Sequence, residues 1–333
     1  MSSLRTGKLP PDLLRGLVLG RLGVRRPETL IGATLGVDAA ALAFDANSAV
    51  VLTTDPITTA SAGAGRLAVH VVCNDLAVMG AEPVGLLATL LFPAGVSPEA
   101  IASLAAEIDA AARSQDVEVL GGHTEVAPGL VQPLVVMAGV GRAARDRLVS
   151  AAGARPGQAL VLTKAAALEG SHILASDLAE RLGALLPEQL LEEARGYGEE
   201  LSVVPEARVA LEHGATAMHD PTEGGVLGAL WELAEASGVG FRVYADRIPV
   251  RRATAEICAA LEVDPLRLIA SGALLAACPD GAAVVAALAE RGIAATIIGE
   301  VTAISARELI HPNGRVELLE DLPRDELYRI LEA

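Results

Sequence analysis

Aromatic residues are scarce, 2% of the 333-residue chain, with one Trp, three Tyr and three Phe. The interior must therefore be packed from Ala, Val, Leu and Ile, which dominate a hydrophobic content of 52%. Positive charge is scarce too. There are 26 Lys+Arg against 42 Asp+Glu, a formal net charge of −16, and the only lysines are Lys8 and Lys164. No run of Lys/Arg with interleaved aromatics offsets this balance, which repels nucleic-acid backbones and anionic membranes. Neither is expected as a partner. The three cysteines, Cys73, Cys258 and Cys278, are odd in number and lack a CxxC spacing. A disulfide framework and a thiolate zinc site are thereby excluded, and each thiol reads as a small buried filler. The longest apolar stretches, such as Val84 to Phe92 and Leu134 to Val140, fall short of the ~18 to 20 residues that cross a bilayer. The first thirty residues lack a signal-peptide h-region, so a soluble cytoplasmic protein is expected.

What the chain does have is length and small-residue turns. At ~100 to 200 residues per domain, two domains are expected. The stretch SAAGARPG from Ser150 to Gly157 marks the break, giving domains 1–150 and 151–333. In the first half, Ala49 to Thr53, Val117 to Leu120 and Leu134 to Val140 read as strands. Ser97 and Pro98 supply the N-cap and first residue of a helix carrying Ile101, Leu104, Ala105 and Ile108 at helical spacing. In the second half, strands are expected at Ala159 to Thr163, Phe241 to Tyr244, Ala273 to Ala277 and Ala295 to Val301. Helices are expected near Ser171 to Leu182, from Val226 to a stop at Gly238, at Ala253 to Leu261 and at Ala282 to Arg291. Two α+β or α/β units in tandem follow.

Five constellations carry chemistry. Gly36-Val37-Asp38-Ala39-Ala40 is followed by Thr53-Thr54-Asp55 at a strand end, and Gly32 and Gly36 loosen the backbone for a phosphate to approach. The segment Gly65 to Pro83 reads as a helix whose apolar stripe, Val69, Val72, Cys73, Leu76 and Met79, surrounds Asn74 and Asp75. A carboxylate there is costly unless something compensates. Gly121-Gly122 reads as a turn at the end of a strand, with His123 and Glu125 as a proton-transfer group and an oxygen ligand. His219-Asp220-Pro221-Thr222-Glu223-Gly224-Gly225 precedes a helix whose N-terminus favours anions. A Mg²⁺ bridging Asp220 and Glu223 reconciles those acids with a phosphate. Thr163-Lys164 through Ser171 is a weaker element, in which Lys164 is either a phosphate contact or a solvated loop lysine. Hard oxygen ligands without a Cys/His cluster suit Mg²⁺ and polyphosphate better than zinc.

The motifs GVDAA (Gly36 to Ala40), TTD (Thr53 to Asp55), NDLAVMGAEP (Asn74 to Pro83), the Gly121 pair and DPTEGG (Asp220 to Gly225) occur in one order and spacing. In these the chain resembles the aminoimidazole ribonucleotide (AIR) synthetase superfamily of ATP-using enzymes, and within it the hydrogenase expression/formation protein E branch. The resemblance implies an N-terminal domain forming a dimeric β-barrel with a second copy and a C-terminal α/β domain, with ATP and Mg²⁺ in the cleft between them. Carried over by position, Asp38, Asp55, Asp75 and Asp220 are the implied metal ligands. Gly36, Asn74, Gly121, Gly122, Gly224 and Gly225 join them in binding the nucleotide, with Lys164 added from its own position in the chain; Asp220 and, from the reading of the residues, His123 are the expected catalytic groups.

The chain departs from the pattern at three places. Val37 stands where relatives carry the first Asp of a pair, and His123 stands where they carry an acid. The final residues, Leu327 to Ala333, contain no cysteine of the kind that bears the carbamoyl group in the hydrogenase-maturation branch. The expected activity is ATP-dependent phosphorylation of an oxygen on a small molecule. The alternatives are a nucleotide-binding regulatory protein without catalysis, and a hydrogenase-maturation accessory protein acting on a partner's cysteine.

Overall fold

The computed structural model describes residues 11–15, 29–32, 34–37, 39–43, 47–58 and 63–331. In chain order its elements begin α1 (Pro11–Leu14), β1 (Thr29–Ile31), β2 (Ala40–Ala43), β3 (Ser48–Ile57), α2 (Ala64–Val78), β4 (Glu82–Phe92), α3 (Pro98–Ser114), β5 (Glu118–Val126) and β6 (Leu134–Ala144). They continue with β7 (Ala159–Thr163), α4 (Leu168–Asp177), α5 (Ala179–Gly183), α6 (Glu188–Gly196), α7 (Val204–Glu212), β8 (Ala217–His219) and α8 (Gly225–Ser237). The last are β9 (Gly240–Tyr244), α9 (Arg252–Leu261), β10 (Leu275–Cys278), α10 (Gly281–Glu290), β11 (Ala295–Thr302), β12 (Arg307–Ile310), β13 (Val316–Leu318) and α11 (Glu326–Leu331). None of the described helices is long and apolar enough to cross a membrane.

The described residues fall into two compact units, 29–32 with 39–148, and 11–15 with 34–37 and 149–331. The first is built on a six-stranded sheet in the order β1-β2-β3-β6-β4-β5. Its pairs are antiparallel except β4 with β5, which are parallel. Parallel neighbours need a crossover, and α3 supplies it. Ser97 caps α3 by accepting the Ala100 N–H at 3.2 Å, with Pro98 in the first turn, as the sequence pattern requires. A cap of this kind is worth about 1 kcal/mol. α2 lies against one face of the sheet, and nearly every residue from Ala64 to Val78 is buried.

The second unit carries a seven-stranded sheet in the order β13-β12-β9-β11-β7-β10-β8, antiparallel except where β12 runs parallel to β9. Its core gathers Leu160, Leu162, Phe241, Val243, Leu275 and Ile298 from the strands with Val226, Leu230, Trp231 and Leu233 from α8. The apolar spacing of α8 is that of a buried helix, and Gly238, at φ 67°, ends it in the left-handed conformation. Both sheets are open-edged, so neither closes into a barrel within the chain.

Two local expectations change. The helix expected near Ser171 to Leu182 starts earlier and breaks into α4 and α5 at Leu178. The Gly-Gly pair at 121 and 122 is no turn, because β5 runs straight through it to Val126. Gly122 serves close approach instead: a Cβ on it, at φ 148°, would stand 1.8 Å from the Ala88 carbonyl oxygen on the neighbouring β4.

Candidate active site

In the first unit the acids converge through β3 and α2. Asp75 is only 6% exposed and Asn74 is fully buried, although both sit in a helix built of Ala, Val and Leu. What compensates the carboxylate is the Thr53 hydroxyl, which donates to Asp75 Oδ2 at 2.6 Å. Thr53 and Asp55 are two residues apart on β3 and so project from the same face of the sheet, the face α2 covers. Thr53 and Asp55, of the TTD motif, therefore lie on the strand face covered by the helix that carries Asn74 and Asp75, with Thr53 bonded to Asp75. The charge of Asp75 is felt by its neighbour: burial and that carboxylate together push the Cys73 thiol up to about 12. Cys258 and Cys278, also buried, are raised to about 12 as well, so all three cysteines are inert fillers near neutral pH.

His123 is not on that strand face. Register aligns Asp55 with Met137, Ala88 and Gly122, and aligns Pro56 with Val136, Thr89 and His123. Successive rows of a sheet point to opposite faces, so His123 lies on the face away from Asp55 and α2. There it is exposed and pairs with Glu125, Nε2 to Oε2 at 3.0 Å. His123 therefore does not share a sheet face with Asp55. Asp38 lies outside the described residues.

In the second unit the HDPTEGG segment links β8 to α8. His219 and Asp220 are 2% and 1% exposed. His219 Nδ1 is 3.1 Å from the Asp220 carbonyl oxygen, and its Nε2 is 3.2 Å from Glu232 Oε2 on α8. Both ring nitrogens thus face acceptor oxygens. The two glycines behave differently from the expectation that they offer amides to a phosphate. Gly225 donates its N–H to the Thr222 carbonyl at 3.0 Å, and Gly224 donates to Asp325 Oδ2 at 2.7 Å. Gly36, expected to loosen a phosphate loop, is required for packing: a Cβ on it would stand 2.7 Å from the Glu232 carbonyl oxygen.

Lys164 is held by internal acceptors rather than solvated. Its ammonium donates to the carbonyls of Glu200, Ser202 and Gly272 at 2.8, 2.6 and 2.9 Å, and meets Glu206 Oε1 at 2.7 Å. An ammonium has three N–H donors, so four internal acceptors leave nothing for a phosphate. Sequence reasoning also missed Glu169, Glu232, Asp325 and Tyr328. Glu169, on the first turn of α4, is buried, and desolvation holds its carboxyl at about 8, against some help from Ser271 and with the charges of Glu223 and Asp325 adding to the rise. Tyr328 directs its hydroxyl at Glu223 Oε1, 3.4 Å away.

The donor set is carboxylate and amide oxygen, which fits a hard divalent ion. Among the described residues no three His, Cys, Asp or Glu side chains are gathered closely enough to hold a metal. The acids present fit Mg²⁺ of the kind that takes one or two carboxylates and completes its shell with phosphate oxygens and water. They do not fit an all-protein cage.

Comparison with known proteins bears on this arrangement. The N-terminal domain of AIR synthase related proteins matches residues 36–143, and the C-terminal domain of the same proteins matches residues 155–311. A putative hydrogenase expression/formation protein of Methanocaldococcus jannaschii is 28% identical over 276 residues, covering 81% of this chain and 80% of that protein. The carbamoyl dehydratase HypE of Azotobacter vinelandii is 32% identical over 281 residues, covering 80% and 78%. A crystal structure of the hydrogenase maturation protein HypE in complex with ATP shares the fold, with a TM-score of 0.71 at 24% identity over 95% of this chain and 96% of that one.

Proposed function

The chain belongs to the AIR synthase related family, and from that premise we propose that it is a Mg²⁺-dependent ATP-binding enzyme that phosphorylates an oxygen of a small molecule. The observation carrying this is the pair Asn74 and Asp75, buried in an apolar helix that has no structural need of them, with the half-buried Thr53 and Asp55 on the strand face it covers. ATP bound to a protein of the same fold supports the choice of nucleotide. Asp55 and Asp75 would hold the metal, and Asp38 and Asp220, from the GVDAA and DPTEGG motifs, would contribute to nucleotide binding. When bound, Mg²⁺ neutralises the phosphate oxygens and polarises the transferring phosphoryl group. The chain's own part is positioning. The Thr53 hydroxyl fixes the rotamer of Asp75, and the packing of α2 on β3 fixes the separation of the two carboxylates.

A catalytic reading is favoured over simple nucleotide binding because a relative at 32% identity is named an enzyme, a carbamoyl dehydratase. All three cysteines here are buried with raised pKa values, so no thiol of this chain is presented as the acceptor. The acceptor is a separate molecule. A second copy of the chain is the proposed partner of the first unit's sheet. Leu52 and Leu87, exposed by 36% and 45%, share its uncovered face, and β5 is exposed along its whole length. The division of labour proposed is residues 1–150 for dimerisation and metal–nucleotide binding and 151–333 for the DPTEGG loop.

Equilibrium dialysis of the full chain against ATP, with Mg²⁺ and then with EDTA, tests the reading. About one nucleotide per chain is expected to be retained with Mg²⁺ and released by EDTA. Mg²⁺ alone should bind at least tenfold more weakly than in the presence of ATP, because the described residues gather too few ligands. Retention that ignores the metal, or no retention, contradicts it.

A further inference from the structure

Beyond β13 the chain turns back along the DPTEGG loop. The indole N–H of Trp231, on α8, donates to the Glu320 carbonyl at 3.3 Å. The Pro323 carbonyl oxygen stands so close to Gly224 that a Cβ there would be 2.8 Å from it. The Glu326 N–H donates to the Arg267 carbonyl at 3.2 Å. Residues 320–326 thus form a strap across the loop, and Asp325 is its point of attachment.

Asp325 is 4% exposed and divides its carboxylate between two duties. Oδ1 accepts the Leu327 N–H at 2.7 Å, an N-cap for α11. Oδ2 accepts the Gly224 N–H, also at 2.7 Å, a bond that α11 does not need. Gly224 has no side chain to fix it and sits at φ 86°, where a glycine chain is at its most permissive. Its main-chain groups make this bond to a side chain and one backbone bond, from the Gly228 N–H to its carbonyl at 2.9 Å. Two short N–H bonds on one buried carboxylate, the second of them to a distant loop, exceed what capping a six-residue helix requires.

We infer that Asp325 is a positioning residue of the nucleotide site: by pinning Gly224 it holds the Asp220–Gly225 loop in the shape that receives the metal–nucleotide. The role rests on the nucleotide reading of that loop and adds to it a residue outside every motif.

Three variants of the full chain test this: Asp325→Ala, Asp325→Asn and Trp231→Phe. The readouts are the dissociation constant for Mg-ATP by calorimetry, amide exchange across residues 220–228 by mass spectrometry, and the thermal midpoint. Asp325→Ala is expected to weaken Mg-ATP binding by at least tenfold and to speed exchange in the loop. Asp325→Asn retains one acceptor oxygen for two N–H donors and is expected to fall between it and the wild type. Trp231→Phe loosens the strap at Glu320 while leaving Gly224 pinned, so its affinity should stay within twofold even if its midpoint drops. Affinity that falls in both Ala and Phe variants in proportion to the midpoint overturns the role, as does rapid loop exchange in Asp325→Ala with unchanged affinity. If Asp325→Ala does not fold, wild-type affinity in Asp325→Asn overturns it. Failure of the wild type itself to bind Mg-ATP overturns the nucleotide reading and the positioning role with it, whereas failure confined to the variants leaves that reading standing.

Discussion

Asp75→Asn is expected to weaken Mg²⁺-dependent ATP binding by at least about 100-fold, or ~2.7 kcal/mol, while leaving the fold in place. Asparagine has nearly the shape of aspartate and keeps an oxygen for the Thr53 hydroxyl, so the α2 packing survives. What it removes is the negative charge that a divalent ion requires. The matched control is His123→Ala. His123 lies on the other face of the sheet, exposed and paired only with Glu125 among the contacts described here, so its loss should change affinity by less than about twofold, below ~0.4 kcal/mol. Calorimetric titration of Mg-ATP into both variants reads the difference. Wild-type affinity in Asp75→Asn would make the carboxylate an incidental polar group of the core.

The second large effect is on stability and its dependence on pH. Glu169 has a folded-state pKa of about 8 against an ordinary 4.5, because burial disfavours its charge. Between these values the folded protein keeps a proton that the unfolded chain has released. Stability is therefore complete below about pH 4.5 and falls as pH rises through the window up to about 8, at roughly 1.4 kcal/mol per pH unit. The total is on the order of several kcal/mol. Glu169→Gln carries no titrating proton, and its urea midpoint at pH 8 is expected to exceed that of the wild type, with the two converging near pH 5. Parallel pH profiles for the two proteins would show that Glu169 is ionised in the folded state.

Elements with local signals were legible in the sequence. Ser97-Pro98 opens α3 and Gly238 closes α8 because a cap and a left-handed residue act on their own neighbours. The polar pair Asn74-Asp75 was legible as an anomaly, since acids in an apolar helix demand a partner, although nothing local to α2 identified Thr53. Misreadings came where the deciding contact is remote. Gly121-Gly122 looks like a turn, and only the Ala88 carbonyl on the adjacent strand makes the pair part of β5. Lys164 looks solvated or ready for a phosphate until Glu206 and three carbonyls from distant segments surround it. Asp325 stands between the charged Arg324 and Glu326, and its burial follows from the return of the chain over α8. The one local hint was an acid just before the apolar spacing of Leu327, Tyr328 and Ile330, which is an N-cap pattern. Glu169 gave a weaker hint, an acid flanked by Leu168 and closely followed by Ile173 and Leu174.

The most direct measurement is a crystal structure of the full chain with Mn²⁺ and a non-hydrolysable ATP analogue, in which anomalous scattering locates the metal. An ion about 2 Å from carboxylate oxygens of Asp55 or Asp75 and from a phosphate oxygen of the nucleotide is the predicted result. A bound nucleotide whose metal touches neither of these aspartates would contradict the account.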